Sequence, residues 1–229
     1  MDNVMLSASG VEKAFVLHTQ GGVRLPVLTA GALDVAAGEC VALTGASGSG
    51  KSTLLRMLYG NYGADAGAIV VAGVDLATAT PRAVLELRRT TLGYVSQFLR
   101  VVPRVPTVDV VAEPAIAQGL PAAEAQERAR GLLARLNLPE RLWGLSPVTF
   151  SGGEQQRVNI ARGFIGAHRV LLVDEPTASL DAANRDVVLD LIREKKAAGV
   201  ALIGIFHDES VRQAVCDRRV DVTEFAPAA

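Results

Sequence analysis

The sequence predicts an α/β domain with a largely parallel sheet and a helical insertion. Three observations carry this reading. Short, continuous apolar runs recur along the chain, helical stripes fall between some of them, and one proline-punctuated stretch holds no convincing strand. Continuous runs suit strands covered on both faces. Strands alternating with helices argue a parallel sheet.

The apolar runs are residues 40–43, 68–71, 92–95, 170–173 and 200–206. One helical stripe is Ala125, Ala129, Leu132, Leu133 and Leu136, and another is Val187, Val188, Leu191 and Ile192. Residues 98–147 carry Pro103, Pro106, Pro114, Pro121, Pro139 and Pro147, with helical stretches between them. The 229 residues fit one domain with an inserted subdomain. The formal net charge of −1 gives no global case for nucleic acid or an acidic membrane. Two cysteines, Cys40 and Cys216, make neither a zinc site nor an iron–sulfur cluster. Residues 1–10 do not read as a signal peptide and no run is long enough to span a bilayer, so a cytoplasmic location is expected, with any membrane link through a partner. Residues 226–229 read as a frayed tail.

Gly45, Ala46, Ser47, Gly48, Ser49, Gly50, Lys51, Ser52 and Thr53 fit G-x-x-x-x-G-K-[ST] in full. An apolar run precedes them and a helical pattern with Leu54, Leu55 and Leu58 follows. The glycines let successive N–H groups turn inward on phosphate oxygens. The helix start adds partial positive charge, Lys51 a point charge for the β- and γ-phosphates, and Ser52 a hydroxyl for Mg²⁺. A plain Gly/Ser turn is the alternative, and the complete pattern in this context argues against it.

The run 170–173 ends in Asp174 and Glu175. Ligands in open α/β sheets sit beyond the carboxyl ends of strands. Asp174 is therefore placed to hold Mg²⁺, and Glu175 to act as general base on water. Two solvated acids at a strand end is the common alternative, and the phosphate loop in the same chain argues for function. Ser151 and Glu154 form an S-x-x-E capping box at a helix start, and Gly152 and Gly153 would let a phosphate approach its free N–H groups.

In this order the motifs resemble the ABC (ATP-binding cassette) ATPase family over nearly the whole chain. Residues 45–53 resemble Walker A, Gln97 the Q-loop glutamine, 151–155 the signature, 170–175 Walker B, 179–181 the D-loop and His207 the switch histidine. Phe15 fits the aromatic that stacks on adenine. Phe150 and Glu154 depart from the commoner Leu and Gln without changing the chemistry. The resemblance implies a P-loop NTPase fold: a RecA-like core, an N-terminal antiparallel β portion, and a helical subdomain inserted at about 98–165 of a single domain, 1–229. It implies ATP and Mg²⁺ as cofactors, Ser52, Asp174 and Gln97 around the metal, and His207 holding the γ-phosphate and the attacking water. It also implies a second ABC subunit, identical or not. Ser151, Gly152 and Gly153 of one subunit would cap the ATP on the other, with Asp181 coupling the two sites. His18 and His168 receive no role, and Arg88–Arg89 and Lys195–Lys196 read as solvated helix faces.

Residues 15–18 with 22–28, 95–101, 139–143 and 150–165 are similar to the L-subunit family of the bacterial carbon–phosphorus lyase system for phosphonate utilisation. That implies docking on the soluble lyase core. The alternative is a transporter ATPase bound to membrane-spanning subunits, of the lipoprotein or macrolide exporter type or a phosphonate importer. A DNA-maintenance role is disfavoured, because the Gln97–Ser151 interval is short and holds no cysteine pair.

Overall fold

The computed structural model describes residues 3–227. In chain order its first elements are β1 (Val4–Leu17), β2 (Val23–Ala36), β3 (Cys40–Thr44), α1 (Lys51–Leu58), β4 (Ala66–Val71), β5 (Val74–Asp75), α2 (Pro81–Thr90) and β6 (Leu92–Val95). Then follow α3 (Thr107–Ala117), α4 (Ala122–Arg135), α5 (Gly152–Ile165), β7 (Val170–Asp174), α6 (Ala182–Ala197), β8 (Ala201–Ile205), α7 (Glu209–Val215) and β9 (Arg218–Asp221). Residues 1, 2, 228 and 229, part of the expected domain and tail, lie outside the described residues.

Five strands form one parallel sheet in the order β6-β7-β8-β3-β9. The other four form an antiparallel sheet in the order β2-β1-β4-β5. Side chains alternate across a strand, so the parallel sheet feeds two cores. Val41, Leu43, Leu172, Ile203 and Ile205 pack with α1 and with Leu6, Val35 and Val71 of the antiparallel sheet. Cys40, Ala42, Leu171, Val173 and Leu202 pack with residues of α3, α4, α5 and α6, among them Val111, Leu133, Ile160 and Ile192. Each fully buried Val, Leu or Ile among them contributes about 2 kcal/mol. Because both faces are covered, the strands read as unbroken apolar runs. Gly204 lets β8 approach β7: a Cβ there would stand 2.2 Å from Val173 Cγ2 and 2.4 Å from Val173 O.

Residues 98–147 hold α3, α4 and 3-10 turns, and no strand. The stripe on α4 buries Ala125, Ala129 and Leu133, and Leu136 just past its end, as the periodicity predicts. Two expectations need correction. Residues 68–71 do not lie in the parallel sheet; they end β4, whose burial alternates because it pairs with β1 and β5 over one core. Nor are the basic pairs simply solvated. The Arg88 guanidinium stacks 4.4 Å from the Tyr59 ring centre and donates to Tyr59 O at 2.9 Å. Lys195 donates to Gly166 O at 2.7 Å, and Lys196 to Val215 O at 2.8 Å. Long aliphatic stems carry these charges across apolar surface to carbonyl acceptors.

Candidate nucleotide site

All strands of the larger sheet run the same way, so β3, β6, β7 and β8 deliver their carboxyl ends to one edge. From β3 the chain enters Gly45, Gly48 and Gly50 at φ +131°, +81° and +96°, values glycine adopts freely. Lys51 opens α1 and donates Nζ–H to Gly45 O at 2.8 Å and Ala46 O at 2.7 Å, so its charge lies over the loop. Ser49 Oγ is buried without a partner. Gly45, Ala46, Ser47 and Gly48 are exposed. Beside the loop is a cleft of about 680 Å³, lined also by Ser52, Thr53, Glu175 and His207, with Phe15 and Val27 from the antiparallel sheet. Phe15 meets Tyr62 edge-on, ring centres 5.4 Å apart, and leaves part of its ring exposed at the cleft.

Asp174 ends β7 at 2% exposure. Tyr94 O–H, from β6, donates to Asp174 Oδ2 at 3.2 Å, while Oδ1 is buried with no partner. Burial pushes this carboxyl up from its ordinary range, and the Tyr94 hydrogen bond opposes that rise. An orphaned carboxylate oxygen is costly unless something positive meets it, and an oxygen donor of this kind suits Mg²⁺. Glu175 follows at φ +54°, a left-handed conformation that L side chains pay about 1–3 kcal/mol to hold. There its Oε1 lies 2.6 Å from His207 Nε2, and its Oε2 accepts from Gln97 Nε2 at 3.4 Å. Gln97 and His207 follow β6 and β8 closely, so strand order alone sets Gln97 and His207 on either side of Glu175.

Ser151, Gly152 and Gly153 stand elsewhere. Ser151 caps α5: its Oγ accepts from Glu154 N at 3.4 Å, and Glu154 Oε2 accepts from Ser151 N at 2.9 Å. Both bonds hold the predicted capping box closed. Ser151 and Gly152 are exposed and line no part of the phosphate cleft. Asp181 is exposed too and caps α6, accepting from Asn184 N at 2.9 Å. A Cβ on Gly153 would sit 3.2 Å from Ser179 O, so this helix start and the 179–181 turn are neighbours.

Three positioning residues escaped sequence reasoning. Tyr94 hydrogen-bonds Asp174. Gln156 Nε2 donates to Glu175 O and Pro176 O, both at 3.3 Å. Asn159 Nδ2 donates to Ser96 O, next to Gln97. A polar residue inside an apolar strand or stripe was the available signal for Tyr94 and Asn159.

A family model described as ABC transporter matches residues 28–178. The lipoprotein-releasing system ATP-binding protein LolD of Paramagnetospirillum magneticum is 40% identical over 225 residues, covering 98% of this chain and 97% of that protein. LolD of a Shewanella species is 39% identical over 91% of this chain and 89% of its own. The macrolide export ATP-binding/permease protein MacB of Brucella melitensis is 39% identical over 89% of this chain, which spans only 31% of that protein. Among solved structures, a dimeric post-hydrolysis state of the ATP-binding cassette MJ0796 with ADP and Pi superposes at TM-score 0.86 and 25% identity, covering 96% of this chain and 95% of that one. The chain therefore belongs to the ABC transporter family, as an ATP-hydrolysing cassette that uses Mg²⁺.

Proposed function

We propose that two such cassettes, identical or not, close on two ATP molecules and that hydrolysis reopens them. The observation that carries this is the separation of two phosphate-binding elements in one chain. The phosphate loop, Asp174, Glu175 and His207 share one edge of the sheet, while the start of α5 faces solvent outside the cleft. A second molecule facing the first gives that helix start an ATP to cap.

Phe15 stacks on adenine. The N–H groups of residues 45–53 and the Lys51 ammonium, released from Gly45 O and Ala46 O, hold the β- and γ-phosphates. Ser52, Gln97 and Asp174, through its free Oδ1, would hold Mg²⁺, which would supply positive charge against those phosphates. Glu175 takes the proton of the attacking water, and His207, 2.6 Å from it, orients that water and the γ-phosphate. Ser151, Gly152 and Gly153 reach the γ-phosphate of the opposite ATP, so its loss removes the bridge between subunits. Asp181, beside that helix start, couples the sites.

The partner proposed is a pair of membrane-spanning transporter subunits of the lipoprotein-releasing or macrolide-export type. This rests on the relatives at 39–40% identity. Among the described residues no helix is long and apolar enough to cross a membrane. A second reading is docking on the soluble carbon–phosphorus lyase core. It rests on the resemblance of residues 95–101, 139–143 and 150–165 to that L-subunit family; Phe98 and Val102, 70% and 71% exposed, would serve either partner. Affinity purification from detergent-solubilised cells grown with and without phosphonate separates the two. Integral membrane proteins in the eluate support the transporter reading. Soluble lyase subunits without them overturn it in favour of the second.

A further inference from the structure

The two cysteines meet across 176 sequence positions, their sulfurs 3.7 Å apart. Cys40 opens β3 fully buried, and Cys216 follows α7 partly exposed. The backbone fixes the contact from both sides. Parallel pairing sets Val41 beside Arg218. Cys40 N donates to Asp217 Oδ2, and Asp217 N donates to Cys40 O, both at 2.8 Å. Lys196 Nζ reaches the same corner, donating to Val215 O and Asp217 Oδ1 at 2.8 Å each.

We infer that Cys216 and Cys40 form a reversible redox pair, with a peroxide as oxidant and an internal disulfide as product. Cys216 is the partly exposed member of the pair, while Cys40 is buried. A hydrogen bond from Cys40 and the nearby Lys196 and Arg212 charges favour its thiolate against burial and Asp217, while the same contact and full burial keep the proton on Cys40. The Cys216 thiolate attacks one peroxide oxygen, the O–O bond breaks, and the departing hydroxide takes a proton to become water. The sulfur, oxidised by two electrons, becomes a sulfenic acid. The Cys40 thiol then attacks that sulfur: the S–S bond forms, the S–O bond breaks, and the Cys40 proton leaves with the hydroxyl as a second water. An external dithiol reverses the step by exchange. A disulfide needs about 2 Å between sulfurs, so the pair has to close by about 1.7 Å. The bridge lies at the end of β3 remote from Gly45, independent of the nucleotide reading above.

The test is intact mass spectrometry of the full chain after brief treatment with hydrogen peroxide, followed by alkylation in denaturant. The expected result is a loss of two hydrogens, no alkylation, a linked peptide joining Cys40 to Cys216, and two alkylatable thiols after dithiothreitol. Closing a loop of 176 residues should raise the unfolding midpoint by about 10–20 °C. Cys40→Ser should accumulate a dimedone-reactive sulfenic acid at Cys216, and Cys216→Ser should retain one alkylatable thiol. Two free thiols after peroxide, or Cys216 carrying two added oxygens beside a free Cys40, overturns the inference. The wild-type peptide map decides even if a variant fails to fold.

Discussion

Replacing Glu175 with Gln removes one proton acceptor and little else. The amide keeps the shape of the side chain, its place between Gln97 and His207, and a hydrogen bond to each. The effect on folding is small, because the His207 side chain is 70% exposed, and a contact so open to solvent contributes at most about 1 kcal/mol. The unfolding midpoint should therefore move by no more than about 4 °C. Turnover is another matter. A positioned general base contributes about 10²–10⁴ in rate, equivalent to about 3–5 kcal/mol of barrier. ATP affinity should hold or tighten, since a negative charge leaves the neighbourhood of the γ-phosphate. Three measurements on one preparation read these quantities: phosphate release at saturating Mg-ATP, binding of a fluorescent ATP analogue, and thermal unfolding. Turnover within about 10-fold of wild type, or affinity lost in step with turnover, would remove Glu175 from the role assigned to it.

Three further outcomes are expected. Tyr94→Phe deletes the donor that orients Asp174 at 3.2 Å, and loss of such a supporting bond weakens metal affinity about 10-fold; magnesium titration of ATPase rate should show that rise in half-saturation, and an unchanged curve would make Tyr94 a packing residue. Gly204→Ala drives a Cβ to 2.4 Å from the Val173 carbonyl oxygen, which the β7–β8 ladder cannot move aside, costing about 3 kcal/mol; calorimetry should record a midpoint about 6–12 °C lower. His168 is held neutral by burial, with Lys195 adding to the effect, its pKa pushed down from 6.5 to about 4. Its unfolded form thus binds the proton more readily, so the corresponding stability, about 3 kcal/mol, is present above about pH 6.5 and is lost as pH falls toward 4. Urea unfolding of wild type and His168→Gln across that window checks this, the variant giving the flatter profile.

The parallel sheet was legible because strands buried on both faces carry one unbroken apolar code, as in residues 170–173 and 201–205. The antiparallel sheet was harder to place strand by strand. β1 and β2 pair through register shifts around Ala8, Val11 and Lys13, and Gly10 and Ala30 sit at φ +58° and +51°, so neither strand keeps a strict alternation. Helix α2 fully buries only Leu87 and leaves Leu85 exposed, so its apolar face is short. The edge strand β9, Arg-Arg-Val-Asp, takes its structure from β3 and not from its own residues. Around the cleft, the residues singled out by a spacing rule lie together in the structure, as Gly45, Lys51, Thr53, Glu175 and His207 do. Tyr94, Gln156 and Asn159 act through hydrogen bonds to groups remote in sequence, and only the assembled fold brings those partners together.

The claim that one molecule caps the ATP of another is tested most directly by mixing two disabled variants, Lys51→Ala and Ser151→Arg. Each alone should be nearly inactive. In a mixed pair, the intact phosphate loop of the Ser151→Arg chain faces the intact α5 start of the Lys51→Ala chain, so one complete site forms. ATPase activity should return on mixing, peaking near equal proportions. Activity that stays at the level of the separate variants, although mass measurement shows that mixed pairs have formed, would contradict it.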